Sequence, residues 1–148
     1  MSTVSSKPET TFTRFINNLL IPDIYHLKMA NPYIGGPPDV YYEGNAGILF
    51  VEYKYVPTFP PTLDLTKNNQ LTRLQAYWLA RAESNGVQCA VIVGCQSDGL
   101  ILEGQEAWRR PVGRTEWLAT KSTRREIADW ITRKVYMCQR PSKSSESS

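Results

Sequence analysis

The segment PPDVYYEGNAGILFVEYKY, residues 37–55, contains two runs of strand-forming residues on either side of a short turn. We expect residues 39–42 and 48–55 to form the two strands of a hairpin, because both are rich in β-branched and aromatic residues. Residues 43–47, which include two glycines and an asparagine, are expected to form the turn. The segment therefore predicts a pair of antiparallel strands at the centre of the fold.

Charged residues interrupt the apolar pattern of the second strand. Alternate residues of a strand share a face, so Glu52 and Lys54 continue the face that holds Ile48 and Phe50. Both faces have the composition of a buried strand, where a charge left dry and unpaired costs several kcal/mol. One interpretation is a simple ion pair at the frayed end of the strand. We favour a functional site, since charged residues that break a core pattern tend to be catalytic.

A second carboxylate is expected close to this strand. Asp39 follows two prolines and opens the first strand of the hairpin, so it lies across from Glu52 if the register allows. Two carboxylates and a carbonyl can hold Mg²⁺, a hard cation that prefers oxygen ligands. The cation lowers the pKa of a bound water and neutralises charge on a phosphate, while Lys54 can orient the attacking water. These residue types are therefore suited to hydrolysis of a phosphodiester.

Two further polar residues lie on helix faces that should be buried. Gln75 falls within the apolar stripe of a helix predicted at residues 70–84, so we expect it near the active site. Glu9 is in line with the apolar stripe of a helix predicted at residues 8–20. Because Ser6 and Glu9 also have capping-box spacing, Glu9 either takes part in catalysis or metal binding, or only caps the helix.

The rest of the chain completes one α/β domain. The remaining expected elements are strands at residues 24–29, 87–94 and 100–102, an ordered loop at 31–38 and a basic helix at 123–137. The fold class is α/β, with a mixed sheet of about five strands flanked by helices. We expect a single domain over residues 1–140 and a disordered tail over 141–148, which is too polar to bury.

Composition excludes several classes of protein. A chain of 148 residues can bury a core without disulfide or metal staples. Cys89, Cys95 and Cys138 form no C-x-x-C pair and accompany one histidine, so a structural zinc site is not expected, and the first two should be buried free thiols. The sequence contains no apolar stretch of membrane-spanning length and no signal core, which predicts a soluble, cytoplasmic protein that does not bind membranes.

The charge of the chain is unevenly distributed. Residues 1–108 carry seven Lys or Arg against ten Asp or Glu, whereas residues 109–148 carry ten against four. The basic C-terminal segment has the character of a surface that binds a polyanion such as DNA. The alternative is that these charges only solvate the outer faces of helices.

The central motif resembles that of a known nuclease superfamily. Pro38-Asp39, twelve intervening residues and then Glu52-Tyr53-Lys54 are similar to the PD-(D/E)xK motif, in the same setting of helix, strands, helix and strand. Within the superfamily the chain is most similar to small phage-encoded endonucleases, including Holliday junction resolvases, and to VRR-Nuc-like domains. The resemblance implies a restriction-endonuclease-like core and metal-dependent cleavage of DNA.

The resemblance also implies roles for individual residues. Asp39 and Glu52 would bind Mg²⁺, or Mn²⁺ in its place, with the backbone carbonyl of Tyr53 as a third ligand. Lys54 would act on the attacking water. Glu9 would assist through the metal or through water.

Further residues are assigned on the same basis. Gln75 matches a glutamine on the equivalent helix of many members. Lys28 is predicted to contact DNA. Arg124 and Arg125 are also predicted to contact DNA, but because they lie in the basic C-terminal segment, which is outside the resemblance. Lys28 and its neighbour His26 can also be read as ordinary surface residues, so for these two both interpretations stay open.

Three hypotheses follow. The leading one is a Mg²⁺-dependent endonuclease acting on branched or junction DNA as a homodimer, in the cytoplasm of a bacterial host if the protein is phage-encoded. The second is a DNA-binding protein that keeps the nuclease fold without turnover. The third is a structural protein in which Glu52 and Lys54 form only an ion pair.

Overall fold

The structure is a computed structural model, and it describes residues 7–29, 35–68 and 70–138. Within these ranges the helices are α1 (Lys7–Leu19), α2 (Arg73–Ser84), α3 (Gln105–Arg109), α4 (Arg114–Thr120) and α5 (Arg124–Val135). The strands are β1 (Tyr25–Lys28), β2 (Val40–Gly44), β3 (Gly47–Tyr55), β4 (Thr62–Leu63), β5 (Cys89–Cys95), β6 (Asp98–Glu103), β7 (Val112–Gly113) and β8 (Ser122–Thr123). The predicted tail, Ser6 and residues 31–34 of the predicted loop lie outside the described residues.

A six-stranded mixed sheet forms the centre of the molecule, in the order β1-β2-β3-β5-β6-β8. Strands β3 and β5 are parallel, and every other neighbouring pair in this sheet is antiparallel. The parallel pair requires a crossover, and α2 lies in that connection. The predicted α/β class with a mixed, helix-flanked sheet is confirmed.

The number of elements differs from the prediction. The described residues add two short helices, α3 and α4, a two-residue sixth strand of the central sheet, β8, and a separate two-stranded sheet made of β4 and β7. These elements have two to seven residues each. Such a length is too short for a hydrophobic pattern to repeat, so the sequence does not reveal them. Strand β8 arises because Thr123, the N-cap of α5, has the extended backbone that a cap requires and pairs with Asp98.

The hairpin turn is tighter than predicted. Gly44 pairs with Gly47, so Asn45 and Ala46 alone make the turn in place of the expected residues 43–47. The glycine at 44 is required by packing, because a Cβ there would lie 2.4 Å from the carbonyl oxygen of Val135 at the end of α5. The C-terminal helix thus closes directly over the hairpin turn.

Two hydrophobic cores lie on opposite faces of the sheet. Helices α1 and α5 cover one face, where their buried residues pack on Leu49, Val51 and Tyr53 of β3. Helix α2 covers the other face together with α3 and α4, whose Trp108 and Trp117 are buried. Both faces of β3 therefore contact helices, which fits the prediction of a doubly covered strand.

Helix α1 approaches the sheet closely through one aromatic residue. Phe12 packs over Gly94 and Gly99, where an added Cβ would lie 2.8 Å and 2.9 Å from its ring. Helices can approach a sheet this closely only where the sheet lacks side chains. This contact fixes α1 on the sheet and, with it, the position of Glu9 one helical turn earlier.

Two expectations from composition can be compared with the structure. Cys89 and Cys95 are buried free thiols, as predicted, and Cys138 is free and exposed. No helix among residues 7–29, 35–68 and 70–138 is both long enough and apolar enough to cross a membrane.

Candidate active site

Asp39 lies beside β3 at the point where β2 begins. Its backbone carbonyl accepts a hydrogen bond from Met29 N at 2.7 Å, and its carboxylate Oδ2 accepts one from Tyr53 N at 3.0 Å. Val40 pairs with Val51, so Asp39, one residue earlier, is opposite Glu52 in the register. The hairpin therefore places the two carboxylates side by side on one face, as the sequence predicted.

Glu52 is the only buried residue with a charged side chain among those the structure describes, with 2% of its surface exposed. Its Oε2 accepts hydrogen bonds from Gln75 Nε2 at 3.0 Å and from Lys54 Nζ at 3.2 Å. Its Oε1 is buried and has no hydrogen-bond partner among the residues that the structure describes. A buried carboxylate oxygen without a protein partner is rare in folded proteins, and it is suited to binding a water or a cation.

Gln75 joins Lys54 and Glu52 to the first turn of α2. Its Oε1 accepts hydrogen bonds from Lys54 Nζ at 3.2 Å and from the backbone N of Thr72 at 3.0 Å. The second of these belongs to a capping box, because Thr72 Oγ1 in turn accepts from Gln75 N. Gln75 is thus fixed at both ends, and it holds the carboxylate and the ammonium in one orientation.

Three carboxyl groups, those of Glu9, Asp39 and Glu52, influence one another at this end of the sheet. Burial, followed by the nearby Asp39, raises the pKa of Glu52 to about 8, although Lys54 acts in the opposite direction. Burial also raises the pKa of Asp39, partly offset by the hydrogen bond from Tyr53 N. The pKa of Glu9 is raised by burial and by Asp39. Each carboxylate therefore resists ionisation unless a cation joins the site.

A groove of about 460 Å³ between α1 and the β1–β2 edge opens beside Asp39. Nine of its eleven lining residues are polar or charged: Glu9, Thr10, Thr13, Arg14, Asn17, Asn18, His26, Lys28 and Asp39. We call it the α1 groove. Glu9 and Asp39 both line it, so the structure brings the predicted helix acid to the same opening as the hairpin acid.

The donor set fits a hard cation. Asp39 Oδ1 and Glu52 Oε1 have no hydrogen-bond partner among the described residues, and they belong to adjacent carboxylates. The N–H groups of Phe50 and Val56 bond toward β5, so by alternation the N–H and C=O of Tyr53 point to the opposite side, where Asp39 lies. Two carboxylates and one carbonyl, all oxygen donors, suit Mg²⁺.

Glu9 is not a third member of this donor set in the structure. In the described part of the chain, no three His, Cys, Asp or Glu side chains form a group that could hold a metal ion. Glu9 instead faces Asp39 across the α1 groove. Its contact with a metal, directly or through water, stays a prediction.

The predicted DNA-contacting residues are divided between two places. Lys28 and His26 line the α1 groove. Arg124 and Arg125 are not part of its lining; the Arg124 guanidinium lies 3.6 Å from the centre of the Phe15 ring on α1. The two arginines therefore occupy the N-terminal end of α5, outside the groove.

The basic C-terminal segment is partly committed to internal contacts. Lys134 pairs with Glu103, Lys121 with Asp98 and Arg110 with Glu116. Arg114 donates two hydrogen bonds to the carbonyl of Phe59. Several of the C-terminal charges therefore make contacts within the protein.

Sequence reasoning missed the polar face of α1 and the residues beneath it. Tyr42 and Tyr53 are buried, their hydroxyls lie 2.6 Å apart, and Tyr42 donates to Asn17 Oδ1 at 2.6 Å. A helical stripe of Thr10, Thr13, Arg14 and Asn17 beside the buried stripe was the available signal. The link to the tyrosines depends on tertiary packing, which sequence spacing does not reveal.

Comparison with known proteins supports the fold. Among solved structures it resembles Hjc, a Holliday junction resolvase from the archaeal hyperthermophile Archaeoglobus fulgidus, with a TM-score of 0.51 and 17% sequence identity. The match covers 80% of this chain and 98% of that chain. No protein-family model and no curated protein matches the chain.

Proposed function

We propose that this protein is a metal-dependent endonuclease that hydrolyses phosphodiester bonds in DNA. The observation that carries the proposal is the buried, unpartnered Oε1 of Glu52, which lies beside a second carboxylate on the fold of a nuclease superfamily. Burial raises the pKa of three carboxyl groups here, which means that ionising them inside the protein costs free energy. A bound divalent cation would offset that cost.

Asp39 and Glu52, with the carbonyl of Tyr53, are the proposed ligands of Mg²⁺, and Mn²⁺ has the same preference for oxygen. When bound, such a cation supplies the positive charge that polarises a scissile phosphate and favours deprotonation of a water. The protein contributes rigid ligands: the register of the hairpin fixes Asp39, and Gln75 fixes Glu52.

We assign Lys54 one of two roles: it orients the attacking water, or it stabilises the charge of the phosphate in the transition state. Its ammonium has three donors, and Glu52 and Gln75 occupy two of them. The third is left to orient the attacking water or to contact the phosphate in the transition state. Gln75 is a positioning residue, and Glu9 is proposed to hold a proton or a water at the entrance of the site.

Branched DNA is the proposed substrate, and the fold likeness to Hjc, whose name describes it as a Holliday junction resolvase, supports this choice. Lys28, Arg124 and Arg125 are proposed to contact the phosphate backbone. Lys28 lies in the α1 groove, whereas Arg124 and Arg125 lie outside it. A long or bent DNA would therefore be needed to contact all three.

A homodimer is proposed as the working form. Coordinated cleavage of two strands needs two active sites, which a two-fold symmetric dimer supplies. Tyr25, Leu27 and Ile48 expose apolar surface on the same face of the sheet edge, which a second copy would cover.

The decisive experiment is a cleavage panel of linear, nicked, forked, single-stranded and four-way-junction DNA with Mg²⁺, with Mn²⁺ and with chelator. The proposal expects cleavage that requires the metal and is fastest on branched substrates. Absence of cleavage on every substrate with both metals would rule out the proposed activity.

Asp39→Asn separates catalysis from binding. The amide oxygen still accepts the hydrogen bond from Tyr53 N, so folding is preserved, but the neutral side chain is a poor cation ligand. We expect cleavage to fall by at least about 100-fold with junction binding retained. A DNA-binding protein without turnover would cleave nothing in either form, and a structural protein would keep every nucleic-acid property after Lys54→Met.

A further inference from the structure

The side-chain amide of Asn17 in the α1 groove is held in one orientation by a buried tyrosine. Asn17 lines the groove, and its Oδ1 accepts a hydrogen bond from the buried Tyr42 hydroxyl at 2.6 Å. The described residues supply no acceptor for its Nδ2 group. The amide therefore presents its N–H donors to whatever occupies the groove.

The two tyrosines make this orientation the favoured one. Tyr53 is fully buried, and its hydroxyl has Tyr42 as its partner at 2.6 Å. When Tyr53 donates to Tyr42 and Tyr42 donates to Asn17 Oδ1, both buried hydroxyl protons are satisfied. If the amide were turned over, Nδ2 would donate to Tyr42, Tyr42 to Tyr53, and the Tyr53 proton would be buried without an acceptor, which is costly.

The surroundings of Asn17 are suited to an anion. Arg14, Lys28 and His26 line the same groove, and Thr10 and Thr13 add hydroxyl groups on the same face of α1. Acidic side chains in the lining, Glu9 and Asp39, lie at the end next to the candidate active site. Lys28 lies close to both acids, so the groove brings cationic and neutral donors next to Asp39, a proposed metal ligand.

We propose that the α1 groove binds the sugar-phosphate backbone next to the cleavage site, and that Asn17 donates a hydrogen bond to a phosphate oxygen there. This inference rests on the proposed function, and it adds a binding residue outside the nuclease motif. Asn17 is eight residues from Glu9, or about 12 Å along the helix, so it contacts a neighbouring phosphate and not the scissile one.

Asn17→Asp is the most informative variant. Its carboxylate keeps an acceptor for Tyr42, but it replaces the donor with an oxygen that repels phosphate. Binding of the parent protein and the variant to a four-way junction is measured by fluorescence anisotropy in chelator, where cleavage is absent. We expect the Kd to rise by at least about tenfold, the effect of losing a hydrogen bond to a charged group.

Thr11→Asp is the matched control. Thr11 is exposed on α1 and is not part of the groove lining, so this change adds the same charge to the same helix without touching the proposed contact. We expect its Kd to stay within about twofold of the parent. A loss of binding equal to that of Asn17→Asp would overturn the assignment of Asn17, because a general charge effect would then explain both.

Asn17→Ala tests the donor without adding charge. It removes the acceptor of Tyr42, so folding is first checked by circular dichroism; the folded fraction is then expected to bind about tenfold more weakly. In Mg²⁺ at saturating substrate, kcat should stay within about threefold of the parent while KM rises. Folded Asn17→Ala with unchanged Kd would overturn the inference, whereas failure of every variant and the parent to cleave would overturn only the proposed activity.

Discussion

Gln75 is the residue that connects the proposed catalytic strand to helix α2. It hydrogen-bonds Glu52, Lys54 and the backbone of Thr72 at once. Gln75→Met has a similar volume but makes none of these bonds, so Glu52 and Lys54 lose their common orientation. We expect kcat to fall by about 10- to 100-fold with little change in the Kd for DNA, measured in single-turnover and anisotropy assays.

Thr72→Ala is the control for this variant. It removes the hydroxyl that caps α2 but leaves the contacts of Gln75 with Glu52 and Lys54 in place. It should lower the free energy of unfolding by about 1 kcal/mol without a large change in kcat. Equal losses of kcat in both variants would mean that Gln75 acts only through helix stability.

Glu52 makes the stability of the metal-free protein depend on pH. Its pKa in the folded protein is about 8, above the ordinary value of 4.5, so between these values the folded state holds a proton that the unfolded state has lost. Stability is therefore highest near the acidic end of this window and falls as the pH rises through it. We expect the Tm measured in chelator to fall between about pH 5 and pH 8.

Glu52→Gln should reduce the decrease of Tm between about pH 5 and pH 8, since a neutral side chain does not titrate. Glu106→Gln on the exposed surface of α3 is the control and should leave that decrease unchanged. Because Mg²⁺ competes with the proton for Glu52, it should raise the Tm more at pH 8 than at pH 6. A Tm that is independent of pH in the parent protein would contradict the burial of an ionisable Glu52.

At the residue scale, the sequence predicted those site residues that break a simple pattern. Glu52 and Lys54 interrupt a strand face, Gln75 interrupts a helix face, and the structure brings all three within hydrogen-bond distance. Asn17 and Tyr42 break no pattern, because an asparagine on a helix and a tyrosine on a strand are both ordinary. Their contact joins residues 25 positions apart, and only tertiary packing creates it.

At the scale of elements, strand β1 contributes the cationic side of the α1 groove. Lys28 lies at its end and is close enough to Glu9 and Asp39 to oppose the rise in their pKa values. If Lys28 neutralises one phosphate, Lys28→Met should reduce the slope of log K against log salt by about 0.9. Titrations of junction DNA at several salt concentrations measure this slope.

A variant on helix α5 can be compared with Lys28→Met in the same titrations. Arg125 is exposed near its N-terminus and lies outside the groove lining, although its contact with DNA is also proposed. Arg125→Met should reduce the salt slope by a similar amount if the DNA extends to α5. A slope that changes for Lys28→Met alone would confine the DNA interface to the groove.

Long elements were predicted well because their patterns repeat. Helices α1, α2 and α5 and strands β3 and β5 differ from the expected bounds by a few residues at each end. The sequence predicts no helix between β6 and α5, because the two helices there are too short to give a periodic signal. Their place in the fold is set by burial of Trp108 and Trp117 against the sheet, a tertiary effect.

At the scale of the whole molecule, an apolar face next to β1 is not covered by any of the residues that the structure describes. The rings of Tyr25, Tyr41, Phe50 and Trp78 form a continuous row with centroid separations of 5.0–6.3 Å. Ile48 continues this face and is 41% exposed. If a second copy covers it, Ile48→Asp should convert a dimer of twice 16.8 kDa into a monomer, as measured by light scattering on a sizing column.

Leu118→Asp is the matched control, because Leu118 is an exposed leucine on α4, apart from this row. It should leave the mass unchanged. A parent protein that is monomeric at all concentrations would contradict the dimer, and coordinated cleavage of two strands would then need another explanation.

The glycines beneath Phe12 have a consequence for substrate choice. Since Gly94 and Gly99 let α1 sit deep on the sheet, they also set the width of the cleft between α1 and β1. A methyl group at either position would push Phe12, and with it α1, away from the sheet. The α1 groove would then widen although every residue that lines it stayed the same. If DNA occupies the groove, as proposed, the diameter that fits is therefore determined in part by two glycines on β5 and β6, strands that contribute no residue to the groove lining.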